Sequence, residues 1–264
     1  MPIVRVAVVG NLSLDLVDGR PPRPGGPPHY AARALAALGV PALVRAKCAE
    51  ADRSRLLAPL EQLGLTVEWC RGTATAAYAF SYDGDTRTME VRELGSPWSP
   101  EDVAGLDAEW VHVGALFRGE FPAETLTVLA EAGPVSFDGQ GLLRPATTGR
   151  LVLEPEPEPS ILRHVSVLKL SEEEALALVG SLEESALSEL GVPEVIVTLG
   201  SRGSILVTGG VLLRVPAEPV QGDPTGAGDA FAAAYVAKRS GGEEPRQAAE
   251  QATELVHSLL ASEA

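Results

Sequence analysis

The sequence predicts an α/β fold, a mainly parallel β-sheet covered by helices on both faces. Three observations point there. Apolar runs of strand length alternate with helical patterns over most of the 264 residues. Glycines stop the early helical segments, as chain reversals at helix ends require. Only two segments carry the period-2 patterning and turn residues of hairpins.

Taken in order, VRVAVVG reads as a buried opening strand, followed by a Pro/Gly-rich loop from Gly19 to Pro28. His29 to Leu38 is predicted as an Ala-rich helix stopped by Gly39. ALVRAKC is a second strand, Asp52 to Leu63 a helix ending at Gly64, and LTVEWC a third strand. WVHVGAL, PVSFD, VSVLKL and EVIVTLG repeat the theme, with helical segments between them. AAYAFSYDGDTRTMEVRE alternates around Asp83-Gly84 and predicts a hairpin, one part of a small flap together with residues near 12–24. SILVTGGVLLRVP predicts a second hairpin turned at Gly209-Gly210. Alternate prolines exclude a helix from EPEPEP (Glu154 to Pro159), which reads as a solvated connector. No internal repeat is present, so a single domain over 1–264 is expected.

Composition narrows the function. A net charge of −15 argues against nucleic acid or anionic membrane as a partner. No apolar stretch reaches membrane-spanning length, and the start, MPIVRVAVVGNLSLD, lacks a signal peptide's charged leader, so a cytoplasmic location is expected. Cys48 and Cys70 lack CxxC spacing and read as free thiols. The four histidines are scattered without HExxH spacing, so no zinc site is indicated. Trp69, Trp98 and Trp110 read as packing residues. Asn11 is the only asparagine and lysines are few, a bias that heat adaptation and a GC-rich genome would both produce.

The chemistry concentrates in GDPTGAGDAFAAAYVAKR, Gly222 to Arg239. After Gly228 the pattern is helical, so Gly226, Ala227 and Gly228 fall at a helix N-terminus, where unpaired amides and the helix dipole attract an anion. The glycines permit close backbone approach to that anion. Asp229 falls in the first turn. A carboxylate beside an anion suits a base that deprotonates a hydroxyl attacking a phosphoryl group. The same position also suits an acidic residue that only complements the dipole. A GxxxxGK loop is absent, and position 231 is Phe where a dinucleotide-binding fingerprint would need a third Gly.

DPTGAGD resembles the second signature of the PfkB (ribokinase-like) carbohydrate kinases, usually written DTxGAGD, with Pro224 in place of Thr. Further landmarks follow the family's order across nearly the whole chain. VVGNLSLD resembles its first strand and following loop, and GGPPHYAARALAALG its first signature. LKLSEEEA resembles the NxxE region, and VTLGSRG the strand and turn that embrace the nucleotide. The resemblance implies a three-layer α/β/α sandwich with a small β-flap, or lid, near 12–24 and 75–92. It also implies an ATP-dependent kinase acting on a hydroxyl of a small sugar or polyol with Mg²⁺. By the same resemblance Asp229 is the catalytic base, and Gly226, Ala227 and Gly228 form the anion hole. Asp15 holds substrate hydroxyls, with Gly25 and Gly26 close to the sugar. Thr198, Gly200 and Gly203 line the nucleotide along with Gly226 and Gly228, and Glu174 organises the water shell of Mg²⁺.

Two departures bear on the substrate. Tyr30 stands where the first signature usually has Asn, and Ser171 replaces the Asn of NxxE. FDGQGLLR offers Asp138, Gln140 and Arg144 after a strand, and this arrangement resembles the myo-inositol kinase-like branch. Asp15, Asp138 and Gln140 suit a ring of hydroxyls. Arg144 would contact a carboxylate or phosphate on another substrate, or form a structural ion pair. A nucleoside or sugar-acid kinase on the same scaffold is one alternative, and a catalytically silent nucleotide- or polyol-binding protein is the other. Lids of this family often serve dimerisation, so both a monomer and a homodimer are open.

Overall fold

The computed structural model describes residues 5–17, 20–83, 86–156 and 158–262. Its strands are β1 (Val6–Asn11), β2 (Ser13–Val17), β3 (Arg23–Gly25), β4 (Ala42–Ala49), β5 (Thr66–Gly72), β6 (Ala76–Asp83) and β7 (Thr86–Glu93). They continue as β8 (Trp110–Gly114), β9 (Val135–Asp138), β10 (Gly149–Arg150), β11 (Val167–Ser171), β12 (Glu194–Thr198), β13 (Ser204–Thr208) and β14 (Val211–Val215). The helices begin with α1 (Pro27–Leu38), α2 (Arg53–Glu61), α3 (Pro100–Val103), α4 (Ala123–Ala132) and α5 (Gln140–Leu143). They end with α6 (Pro159–Leu162), α7 (Glu172–Val179), α8 (Glu184–Ser188), α9 (Ala227–Ser240) and α10 (Pro245–Ala261).

The large sheet runs β14-β13-β12-β11-β9-β8-β1-β4-β5, parallel throughout except for β13 and β14 at one edge. Both faces are covered, giving the three layers. Along β1, Val6 and Val8 pack with Ala31 and Leu35 of α1 and Ala233 and Val236 of α9. The alternate residues Ala7 and Val9 join Leu126 and Leu129 of α4 on the other face. A strand buried on both sides must read as a continuous apolar run, as VAVV does.

The second sheet runs β10-β7-β6-β2-β3 and contains both segments expected of the flap. Asp15 lies within β2, whereas the sequence reads there as loop. The short, mixed-polarity run SLDLV gives no clear alternation, and pairing with β6 organises it from outside. β10, only two residues long, had no sequence signal and pairs with β7. Gly84 of the expected turn lies outside the described residues, as does residue 157 of the Pro/Glu connector. α1 begins two residues before the predicted start, because Pro27 and Pro28 occupy the first helical turn, where a missing amide hydrogen costs nothing. The Gly209-Gly210 turn has positive φ at both residues (56° and 74°), as a two-residue hairpin turn demands. Cys48 and Cys70 are free, and Trp98 is buried in a stack with Phe121. Among the described residues no helix is long and apolar enough to cross a membrane.

Candidate active site

A cleft of about 840 Å³ opens beyond the carboxyl ends of the parallel strands, beneath the second sheet. This is where open α/β sheets collect ligands, because strand-to-helix loops converge there. Asp15, Gly26, Gln140, Arg144, Glu174, Thr198, Gly200 and Gly203 all line it, as do Gly226 to Asp229. The chain thus brings together residues more than two hundred positions apart.

Two predicted contacts do not line the cleft. Asp138 has no exposed surface; its Oδ2 accepts from Lys169 Nζ at 3.1 Å and its Oδ1 from the Gln140 amide at 3.1 Å. It lies behind the cleft wall and orients other groups, which corrects its expected role as a polyol contact. Gly25 also sits one layer back. A Cβ there would lie 2.4 Å from Asp15 Oδ1, so the glycine makes room for a carboxylate rather than for a sugar.

Gly226 caps α9 in the left-handed region, at φ 79°, and the Ala227 amide closes a turn onto the Pro224 carbonyl at 3.1 Å. The next amides have no acceptor within the helix and, with the helix dipole, form a site for an anion. The Ala227 amide, expected in the anion hole, is thus already engaged. Asp229 follows in the first turn, and its buried Oδ1 has no hydrogen-bond partner. Burial and the neighbouring Asp138 carboxylate raise its pKa well above the ordinary carboxylate range, against the opposing pull of Lys169 and Arg144. A carboxylate with that affinity for a proton, lining a cleft beside an anion site, can serve as a general base.

Lys169 escaped the sequence reading. It is buried in β11, directly beneath the anion hole: a Cβ on Gly228 would lie 2.7 Å from its Nζ. Burial works against its charge, but Asp138, Glu174 and Asp229 outweigh that and raise its pKa. The signal was present, since a lysine inside the apolar run VSVLKL must find a buried partner. Glu174 is likewise buried. With Ser171 it forms a capping box at the start of α7, in which its Oε2 accepts from the Ser171 amide at 2.8 Å. Ser171 therefore keeps the capping function at a position usually Asn. Arg144 Nη2 lies 3.9 Å from Glu174 Oε1, while its Nε is buried without a partner.

Tyr30, noted only as a departure, donates its phenol to Asp15 Oδ2 at 3.1 Å, and Ser13 donates to Oδ1 at 2.9 Å. Arg23 of β3 pairs with Asp223, 3.0 Å away in the loop before α9.

The fold and this site define a ribokinase-like phosphotransferase that acts on a sugar or polyol hydroxyl. The sequence pattern of the pfkB family carbohydrate kinases matches residues 16–256, and the chain belongs to that family. Among solved structures it is similar to a pyrophosphate-dependent kinase of the ribokinase family complexed with a pyrophosphate analog and myo-inositol. That match has 23% identity and a TM-score of 0.84, and covers 97% of this chain and 94% of the other. It is also similar to Arabidopsis thaliana ribokinase complexed with ribose and ATP, at 20% identity and TM-score 0.72, covering 98% and 93%. A Burkholderia thailandensis nucleoside kinase in complex with inosine matches at 21% identity and TM-score 0.74, covering 97% and 91%.

Proposed function

We propose that this enzyme transfers the γ-phosphoryl group of MgATP to a hydroxyl of a compact cyclic polyol, myo-inositol being the first candidate. The reading rests above all on Asp229, which lines the cleft at the start of α9 and whose buried Oδ1 has no hydrogen-bond partner. Asp229 takes the proton of the acceptor hydroxyl. The oxygen–phosphorus bond to the acceptor forms as the bond to the bridging oxygen breaks, and that electron pair leaves on ADP. Amides at the start of α9 stabilise the charge on the transferring group. Thr198, Gly200 and Gly203 border the phosphates.

Among the described residues no group of three or more His, Cys, Asp or Glu could hold a metal ion directly. Such a site fits Mg²⁺ bound mainly by phosphate oxygens and water, with Glu174 accepting from a metal-bound water. The ion would neutralise phosphate charge.

The relative solved with a pyrophosphate analog raises a second donor. ATP is supported by the donor end of the cleft, where Ala217, Val220, Val256 and Leu260 offer an apolar wall suited to a base. From Thr198 onward no lining residue is Lys or Arg, and the exposed Glu218 adds a negative charge, so Lys169 beneath the anion hole is left as the cation for a free pyrophosphate at that end. For the acceptor, Arg144 and Arg150 line the cleft and favour an acid, whereas Tyr78 and Phe80 would suit a nucleoside. A neutral polyol is supported by the inner site, where Asp138, Asp229 and Glu174 outnumber Lys169 and Arg144. The greater likeness in fold to the myo-inositol-bound relative, at TM-score 0.84 against 0.72 for ribokinase, supports it too. The test is product formation from ATP or pyrophosphate across inositols, sugars, sugar acids and nucleosides. Turnover of an inositol with ATP is expected. Turnover with pyrophosphate alone would overturn the donor reading, and silence on every acceptor the kinase reading itself.

A further inference from the structure

Between Asp15 and the anion hole stands the side chain of Tyr30, and its two ends touch both. The ring of Tyr30 packs against Gly226: a Cβ built there would fall 2.1 Å from Tyr30 Cγ and Cδ1. Only a glycine tolerates that approach, and Gly226 also adopts φ 79°, which excludes most other residues. The phenol oxygen donates to Asp15 Oδ2 at 3.1 Å. The other face of that carboxylate is closed by Gly25, whose missing Cβ would stand 2.5 Å from Oδ2. His29 braces the ring edge-on, with centroids 5.1 Å apart. Tyr30 is half-buried, and the surface it keeps faces the cleft.

We infer that Tyr30 is the specificity-determining wall of the acceptor site, filling the space between Asp15 and Gly226 so that only a compact, unsubstituted ring polyol fits. This rests on the kinase reading above and adds the residue that limits acceptor size. The ring excludes a substituent directed towards α1, and the phenol fixes the Asp15 carboxylate in one orientation. A shorter side chain at this position opens the space. The two functions separate by substitution: Tyr30→Asn removes the ring, and Tyr30→Phe removes only the phenol.

The experiment measures kcat/KM with saturating ATP for myo-inositol, its set of mono-O-methyl ethers, ribose and a nucleoside, in wild type and both variants. A pocket contact with one extra methyl group discriminates by about 10-fold or more. Tyr30→Asn is therefore expected to raise the ratio of at least one bulkier acceptor to myo-inositol by about 10-fold or more. Its KM for ATP should stay near wild type. Tyr30→Phe should raise the acceptor KM severalfold and leave the ratios unchanged, a split that a merely structural residue would not give. Thermal melts establish that both variants are folded. If Tyr30→Asn unfolds, Tyr30→Leu supplies the same loss of ring. No ratio rising more than twofold in a folded, active variant would overturn the proposal while leaving the kinase reading intact. A wild-type enzyme inactive on every acceptor would remove both.

Discussion

Replacing Lys169 by Met tests whether the inner charges of the site act as one unit. The ammonium lies 3.1 Å from Asp138 Oδ2, and Asp138 has no exposed surface through which water could replace it. Removing one partner of a buried pair strands the other charge and costs about 3–5 kcal/mol. At about 2–4 °C per kcal/mol for a chain of roughly this size, the melting temperature should fall by about 6–20 °C. The catalytic consequence has a definite sign. Lys169 lowers the pKa of Asp229, whereas Asp138 raises it. Lys169→Met should therefore move the acid limb of the kcat/KM profile to higher pH, because the base must lose its proton to act. Asp138→Asn should move the same limb to lower pH. The double variant Lys169→Met/Asp138→Asn should recover most of the lost stability and bring the limb back towards wild type. Urea unfolding and pH–rate profiles of the four proteins complete the cycle. A Lys169→Met protein that loses less than about 1 kcal/mol, or whose limb moves to lower pH, would refute the reasoning.

Asp229→Asn should cut turnover at least ~100-fold with ATP affinity retained in a binding titration, as loss of a positioned base requires. Gly25→Ala drives a methyl group into the Asp15 carboxylate; the KM for the acceptor should rise about tenfold or more while that for ATP stays unchanged. Leu260→Asp puts an anion into the apolar donor wall. Steady-state kinetics should show a KM for ATP raised about tenfold or more and an acceptor KM near wild type.

The parallel sheet and its covering helices were legible because a sheet buried on both faces leaves continuous apolar runs, and VAVV and VIV are such runs. The start of α9 was legible because its requirements are local: Gly226 must adopt positive φ and Asp229 must fall in the first helical turn. The flap was legible in its β6–β7 hairpin and in the assignment of residues near 12–24 to it, but not in the individual strands of that second segment. β2 and β10 take their form from partners far along the chain, and neither carries a pattern of its own.

The charges of the inner site mark where sequence reasoning stops. Lys169 interrupts an apolar strand, so a buried partner could be demanded from sequence, but not named. The partner follows from register: β11 lies parallel to β9, and that pairing sets Lys169 directly beside Asp138. No local signal in FDGQGLLR or VSVLKL states that these two strands are neighbours. Tyr30 follows the same logic at greater distance. A tyrosine where the first signature usually has Asn reads as a lost polar contact until the start of α9 is folded against α1. Only then does its ring meet Gly226 while its phenol meets Asp15. What chemistry the site performs is therefore written in local motifs, whereas the size of its acceptor and the affinity of its base for a proton arise from contacts that the sheet topology creates.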